Sequence, residues 1–290
     1  MRTAIVTDSS AYLSEEDIQK YNIHVIPLTI VFGDQSYQEG IDITNAEFYD
    51  KLANSKELPT TSQPPIGMLI EEYNKLAAEG YDNVISIHLA ATISGLYNQV
   101  VNVSQMIDSI NVIPFDSQIT VGLMGDLAKY ASELAKAETD PQEIISKLKE
   151  QRQTIDELFV VDDLQNLVKG GRLSNASAFI GGLLNIKPIL KFDDETDKIV
   201  AFDKVRTMKR ALKRVESLFE EKLAKVDYPV KLFVLNGNNP KSGSAWAEKI
   251  AEQFPDLKIE QGTIGPAIGT HLGQGALILG WQKEFDFDKK

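Results

Sequence analysis

The chain has 290 residues, of which 43% are hydrophobic and 25% are charged, and its formal net charge is −12. This length exceeds that of a typical single domain, so the sequence predicts two domains. The acidic excess argues against sequence-independent binding of nucleic acid or of an anionic membrane, because both surfaces require clustered Lys and Arg. We therefore expect no nucleic-acid partner and at most transient membrane contact.

Cysteine is absent from the sequence, which excludes disulfides, thiolate catalysis and zinc–thiolate sites. The first ten residues, MRTAIVTDSS, lack the apolar core of a signal peptide. No stretch reaches the roughly 20 consecutive apolar residues of a membrane-spanning helix. These features predict a cytoplasmic protein.

The first half of the chain alternates between strand-like and helix-like segments. Short apolar runs rich in Val and Ile predict buried strands over residues 3–8, 24–32, 83–91 and 110–117. Between them, amphipathic patterns predict helices over residues 14–21, 44–55, 64–80 and 94–110. Ser14 is a predicted N-cap, and Thr44 with Glu47 has capping-box spacing. This alternation predicts a parallel sheet flanked by helices.

The second half has a different pattern. Residues 187–205 are two apolar runs joined by an acidic turn, which predicts a β-hairpin. Further helices are expected over 207–226 and 242–254, and further strands over 230–240 and 275–285. The sequence thus predicts an α/β protein with an N-terminal parallel-sheet domain, residues 1–156, and a C-terminal α+β domain with a mixed or antiparallel sheet, residues 157–290.

Small hydroxyl side chains occur at two places in the first half where a helix is about to begin. Thr61 and Ser62 lead into one predicted helix, and Ser94 lies between a predicted strand and the next helix. Ligands bind at the carboxyl ends of the strands of a parallel sheet, and helix N-termini favour anions, so these hydroxyls are candidates for an anion site. Simple helix capping by Ser and Thr is the alternative.

His271 lies in the glycine-rich segment GPAIGTHLGQGALILG, residues 265–280, where flexible backbone would let the chain approach a ligand closely. A partly buried histidine in a turn is the alternative. His24 and His88 are expected to be structural, and three scattered histidines without ligand spacing do not indicate a metal. Ser94 and His271 could form a nucleophile–base pair, but the sequence lacks the G-x-S-x-G elbow of hydrolases.

Two further segments bear on a ligand site. Residues 169–174, KGGRLS, form a basic glycine turn without phosphate-loop spacing, so we expect no nucleotide site. Residues 178–190 are dense in apolar side chains and contain two adjacent glycines, Gly181 and Gly182. They are expected to form either packed core or the wall of an apolar pocket.

Seven motifs appear in an order that resembles the DegV family of bacterial fatty-acid-binding proteins, over essentially the whole chain. They are DSS (8–10), TSQP (61–64), SGLYN (94–98), KGGRLS (169–174), LLNIKPIL (183–190), KVRT (204–207) and GTHLGQGA (269–276). The resemblance implies a fatty acid between two α/β domains and no cofactor. It also implies that the chain is a non-enzymatic lipid carrier that presents the carboxylate to a separate ATP-dependent fatty acid kinase subunit, and that the acyl phosphate passes to acyltransferases of phospholipid synthesis.

The resemblance also assigns residues. It places Thr61, Ser62, Ser94, His271 and Arg172 at the fatty-acid carboxylate, with Arg172 orienting the network or offsetting charge. It implies an acyl tunnel lined by Ile93, Phe179, Ile180, Leu183, Leu184 and Ile189. Arg206 matches a basic position of either the head-group region or the surface that docks the kinase.

The chain departs from the family pattern at Gln274, where a proline is usual, and at Leu96, where a small polar residue is usual. Proline would stiffen the turn after His271, so Gln274 bears on the placement of that side chain. Two other functions stay open at this point. One is an autonomous small-molecule enzyme related to dihydroxyacetone kinase, and the other is a lipid-sensing regulatory module.

Overall fold

A computed structural model describes residues 2–162, 164–175 and 186–285. Its α-helices are α1 (Glu15–Tyr21), α2 (Asn45–Asn54), α3 (Ile66–Ala78), α4 (Leu96–Ser104), α5 (Val121–Lys136), α6 (Pro141–Arg152), α7 (Gln165–Lys169), α8 (Met208–Leu223), α9 (Pro240–Gln253) and α10 (Pro266–Leu272). Among these described residues, no helix combines the length and the apolar character needed to cross a membrane.

The strands form three sheets within the described ranges. They are β1 (Thr3–Asp8), β2 (Ile23–Ile26), β3 (Thr29–Phe32), β4 (Gln35–Gln38), β5 (Thr60–Ser62), β6 (Asn83–His88), β7 (Asn111–Asp116), β8 (Asp156–Val160), β9 (Lys187–Phe192), β10 (Ile199–Val205), β11 (Val230–Asn236), β12 (Lys258–Thr263) and β13 (Leu277–Lys283). The sheet orders are β2-β1-β6-β7, β4-β3-β5 and β10-β9-β8-β13-β11-β12.

The N-terminal sheet is parallel throughout, as the sequence predicts. Every residue of β1 and β6 is buried, which is the pattern expected when helices cover both faces of a parallel sheet. Helix ends also follow the predicted signals. The Oγ of Ser14 accepts a hydrogen bond from the amide of Asp17, and Thr44 and Glu47 complete a capping box.

The prediction of a single strand over residues 24–32 is wrong. The segment divides at Pro27: β2 joins the parallel sheet, whereas β3 pairs antiparallel with β4 and β5 in a separate small sheet. Proline has no amide hydrogen to contribute to a ladder, so the chain changes sheets there. The helix predicted over 94–110 is also shorter than expected and ends at Ser104.

The C-terminal sheet is mixed, and its first part is the predicted hairpin of β9 and β10. Only the β11–β12 pair is parallel among its described strands. Helices α8 and α9 cover its outer face, where Val215, Phe219 and Trp246 pack into one core. Its inner face, with Phe159 and Ile278, belongs to the core of the N-terminal sheet.

Helix α5 links the two large sheets. It packs against β1 and β6 on one side and contacts β13 on the other. We propose a domain division between residues 156 and 157; the first strand of the mixed sheet begins one residue before it, at Asp156. The cavity described below lies at the junction of the two sheets.

Candidate functional site

The main apolar cavity has a volume of about 750 Å³, which is within the usual range for small-molecule sites. Part of its wall follows the carboxyl ends of β2, β6 and β7, the edge where the sequence predicts a ligand. The mixed sheet and α10 supply the opposite wall. The apolar lining includes Leu28, Leu89, Ile93, Ile119, Phe159, Phe192, Ile199, Ile268 and Ile278.

Thr61 and His271 meet in the wall of this cavity. Thr61 lies on β5, opposite Ile30 of β3, and its Oγ1 is 2.8 Å from Nε2 of His271. The hydroxyls of residues 60–62 therefore belong to a strand and do not cap α3, whose N-cap position is Pro65 without a side-chain cap. The helix-capping interpretation of this segment is wrong.

His271 lies in the last turn of α10, so the prediction of a flexible glycine-rich turn around it is wrong. The helix ends at Gly273, whose φ of 75° favours glycine. The Nδ1 atom of His271 is buried and has no hydrogen-bond partner among the described residues. Burial, with a contribution from the Arg172 charge, lowers the pKa of His271 to about 4, so the imidazole is neutral at physiological pH.

Helix α10 is held by side chains from the N-terminal half. A carboxyl oxygen of Glu39 accepts a hydrogen bond from the amide of Ala267, 2.8 Å away, at the first turn of the helix. The Tyr12 hydroxyl accepts one from the amide of Ile268, and the Tyr49 hydroxyl donates to the carbonyl of Ile264. These bonds across the two halves fix the position from which α10 presents its histidine.

Ser94 and Arg172 also line the cavity. The Oγ of Ser94 accepts a hydrogen bond from the amide of Leu96, 3.2 Å away, which leaves its hydroxyl hydrogen available to a ligand. Arg172 donates from Nε to the carbonyl of Ile93 and from Nη1 to the carbonyl of Gly170, at 3.1 and 2.5 Å. No carboxylate in the described part of the chain forms an ion pair with Arg172.

The other predicted residues have different positions. Ser62 lines the cavity and is exposed, whereas Arg206 is exposed between β10 and α8 and is not part of the lining. Ile189 is not a tunnel residue: it is buried in the core beneath α8 because side chains alternate along β9, and Phe192 points to the cavity instead. Phe179, Ile180, Leu183 and Leu184 lie outside the described residues.

Sequence reasoning missed several lining residues. Asn98 and Asn102 follow Ser94 at helical spacing, and this periodicity could have identified them. Gln99 also lines the cavity, and its side-chain amide donates a hydrogen bond to the carbonyl of Pro64. Glu157 also lines the cavity from β8. A charged residue inside the otherwise apolar segment ELFVV was a usable signal.

His24 and His88 have the structural roles that the sequence predicts. His88 is fully buried, with Nε2 2.7 Å from the Ser86 hydroxyl and Nδ1 3.0 Å from a carboxyl oxygen of Asp8. This Ser–His–Asp arrangement is closed to solvent and does not line the cavity. His24 pairs with Glu72 at 2.8 Å.

The buried carboxyl of Glu39 predicts a pH-dependent stability. Desolvation raises its pKa from 4.5 to about 7. Neutral Glu39 therefore makes its full contribution to the stability of the folded protein below pH 4.5. This contribution is lost as the pH rises through 7, because between these two values the carboxyl ionises in the unfolded state but not in the folded state. We expect the free energy of unfolding in urea to fall from about pH 5 to about pH 8, and to fall less in Glu39→Gln. Equal slopes for the two proteins would contradict this assignment.

The chain is an α/β protein with an apolar cavity between two sheets. A family model described as "Uncharacterised protein, DegV family" matches residues 2–284. Protein DegV of Bacillus subtilis is 42% identical over 282 residues, which cover 97% of this chain and 99% of that protein. A DegV domain-containing protein of Listeria innocua is 42% identical over 280 residues, covering 97% and 98%. The chain belongs to the DegV family.

Solved structures support the same fold. The crystal structure of DegV from Bacillus subtilis, described as a fatty acid binding protein, matches with a TM-score of 0.90 over 98% of this chain and all of that one, at 42% identity. A fatty acid binding DegV family protein from Streptococcus agalactiae matches with a TM-score of 0.89 at 36% identity, over 98% and 100% of the two chains. These matches confirm the predicted fold class.

Proposed function

We propose that this chain binds a long-chain fatty acid, with the acyl chain in the apolar cavity and the carboxylate at the end formed by Thr61, Ser94, His271 and Arg172. Ser62, which is exposed, lies at the solvent side of this end. One observation carries the proposal: the mainly apolar lining of one cavity also includes hydroxyl, imidazole and guanidinium groups, and two of these, Thr61 and His271, are hydrogen-bonded to each other. The related proteins described as fatty acid binding support it.

The energetics of such a ligand fit this distribution of residues. Burial of each CH₂ contributes about 0.8 kcal/mol, so an acyl chain of about 16 carbons contributes on the order of 12 kcal/mol before ordering costs. A carboxylate buried without partners would cancel much of that gain. Hydroxyl donors and Arg172, which forms no ion pair with a described carboxylate, would offset the desolvation of the ligand carboxylate.

A neutral His271 donates from only one ring nitrogen, and a proton on Nε2 would set the donors at the head group. With the proton on Nε2, the imidazole donates to the Thr61 oxygen and leaves the Thr61 hydroxyl free to donate to a carboxylate. The positive charge beside the head group is then that of Arg172, because His271 is neutral. In this arrangement Thr61 contacts the ligand and His271 fixes the direction of its hydrogen bond.

We expect Thr61→Val to weaken binding of octadecanoic acid by about tenfold, the effect of one lost hydrogen bond to a charged group. Isothermal titration of delipidated protein would measure the affinity. Thr60→Val is the matched control, because Thr60 is exposed on the same strand and does not line the cavity. The methyl ester of the same acid tests the charge of the head group separately. It should bind more weakly to the wild type, and its affinities for the wild type and Thr61→Val should differ less than those of the acid, because the neutral ester carbonyl is a weaker acceptor.

Mass spectrometry of the protein purified without added lipid, first native and then denatured, tests the proposal as a whole. A mass difference matching fatty acids that are recovered in an organic extract would support it. A protein that is empty and does not take up octadecanoic or octadecenoic acid would refute it. That result would favour the small-molecule enzyme or another ligand class.

We further propose that the chain is the lipid-carrying subunit of a fatty acid kinase. Thr61, Ser94 and His271 are partly exposed, so a bound carboxylate would be accessible to a partner that supplies ATP. The acyl phosphate would then pass to acyltransferases of phospholipid synthesis. The carrier itself need only position the carboxylate, because phosphoryl transfer depends on positioning and charge stabilisation.

Arg206 is the proposed contact with the kinase subunit. It is exposed next to the basic start of α8, which carries Lys209 and Arg210 on an otherwise acidic chain. We expect Arg206→Glu to slow acyl-phosphate formation in a coupled assay with the kinase subunit while lipid retention stays unchanged. Lys241→Glu, an equal charge reversal at an exposed position on α9, is the control. Equal rates for the two variants would refute the docking role.

A further inference from the structure

Glu157 lines the cavity from the mixed sheet, outside the group of residues proposed to bind the carboxylate, and it also borders a second cavity that includes Arg152. Glu157 lies on β8 and pairs with Gly280 of the neighbouring strand β13. At the other end of β8, Val160 pairs with Leu277, which is the first residue of β13 and follows the turn after α10. Three residues of strand span about 10 Å. Glu157 and Phe159 lie on the same face of β8, so both face the cavity, and Glu157 is the more distant of the two from α10.

The carboxyl of Glu157 is only half satisfied. Its Oε1 accepts a hydrogen bond from the amide of Phe192, 2.9 Å away, and its other oxygen has no hydrogen-bond partner among the described residues. The side chain is only 5% exposed. Burial raises the pKa of Glu157 to about 8, against smaller opposing effects of the Phe192 bond and of Arg152 and Lys222. Near neutral pH it is therefore mainly a carboxylic acid with a free O–H donor.

A polar group at this position has a predictable effect on ligand choice. An alkyl chain that covers Glu157 would leave its second oxygen without a partner, and a buried unpaired polar group is unfavourable. A ligand oxygen at the same place would accept from the O–H and restore the hydrogen bond. Sites that contain such a group discriminate against analogues lacking the matching oxygen.

We propose that Glu157 is a specificity-determining residue, and that the cavity prefers fatty acids with a hydroxyl or keto oxygen on the distal half of the acyl chain. This inference rests on the proposed function, because it assumes that the carboxylate lies at the Thr61 end. Ligand recognition here involves a hydrogen bond only, with no covalent step.

The test compares octadecanoic acids with a hydroxyl on the distal half of the chain, on the proximal half, or absent. Isothermal titration at neutral pH should show wild-type protein binding the distal isomer about tenfold more tightly than the proximal one, the effect of one hydrogen bond. Glu157→Gln, which keeps a donor and an acceptor, should retain a preference for the distal isomer. Glu157→Leu should lose it.

The comparison uses the ratio of two affinities within each variant, so a general loss of stability in Glu157→Leu does not affect the conclusion. A wild type that binds octadecanoic acid but does not distinguish the isomers would overturn the role of Glu157 and leave the proposed function intact. An unchanged preference in Glu157→Leu would also overturn it. Failure of the wild type to bind any of the three acids would refute the proposed function itself.

Discussion

Replacement of Gly170 by alanine is expected to displace His271 and to weaken fatty acid binding by at least tenfold. A Cβ at this position would lie 2.6 Å from Nδ1 of His271 and 2.9 Å from the carbonyl oxygen of Asn166. The backbone of Gly170 has φ −71° and ψ −14°, which any residue adopts, so the effect is purely steric. The imidazole has to shift from its position against Thr61, and overpacking of this kind destabilises proteins by about 1–3 kcal/mol.

The same substitution elsewhere provides the control for Gly170→Ala. A Cβ at Gly67, in α3, would meet no atom within 4 Å, so Gly67→Ala should keep its affinity and gain up to about 1 kcal/mol from helix propensity. Urea unfolding and titration with octadecanoic acid would be measured on both variants. Normal affinity in Gly170→Ala would mean that the position of His271 does not matter for binding.

Asp126→Ala is expected to cause the largest loss of stability, about 3–5 kcal/mol. Asp126 is 1% exposed on α5, and its Oδ1 lies 2.6 Å from Nζ of Lys129. Its Oδ2 accepts from Lys231 and Gln282 of the mixed sheet, at 2.7 and 2.8 Å. Without this carboxylate, the largely buried Lys129 would keep only Asp17 and Glu260, each 3.8 Å away, and Lys231 would keep only Glu260 among the described carboxylates. A broken buried ion pair leaves uncompensated charge, which explains the size of the loss.

A solvent-exposed ion pair provides the control for Asp126→Ala. Glu143 lies 3.5 Å from Lys147 one turn along α6 and has 57% of its side chain exposed. Glu143→Ala should change the free energy of unfolding by less than about 0.5 kcal/mol. If Asp126→Ala changed it equally little in urea unfolding, the network across α5 and the mixed sheet would not stabilise the junction.

The parts of the fold that depend on local patterns are predictable from the sequence. Strands β1 and β6 are continuous apolar runs, and the Thr44–Glu47 capping box depends on two residues three apart. The hairpin of β9 and β10 follows from its acidic turn. The meeting of Thr61 with His271 is not local, since 210 positions separate them. Their proximity was expected only from the resemblance to a family.

The errors have equally specific causes. Pro27 divides an apolar run that reads as one strand, and the helix of His271 lies in a segment whose glycines suggest a turn. Ile189 was assigned to the tunnel from the resemblance, and the consecutive apolar residues 188–190 do not reveal which side chains face which core. Glu157 was missed because its importance depends on Phe192, which is on another strand.

The position of the cavity within the hydrophobic core that joins the two large sheets has a consequence for the life of the protein in a cell. A ligand that fills it would act as an internal part of the fold, and binding would stabilise the folded state by RT ln(1 + [L]/Kd). The loaded chain would then outlast the empty one under proteolysis, because degradation tracks the population of open molecules. The abundance of the protein would follow the supply of its ligand without any change in its synthesis.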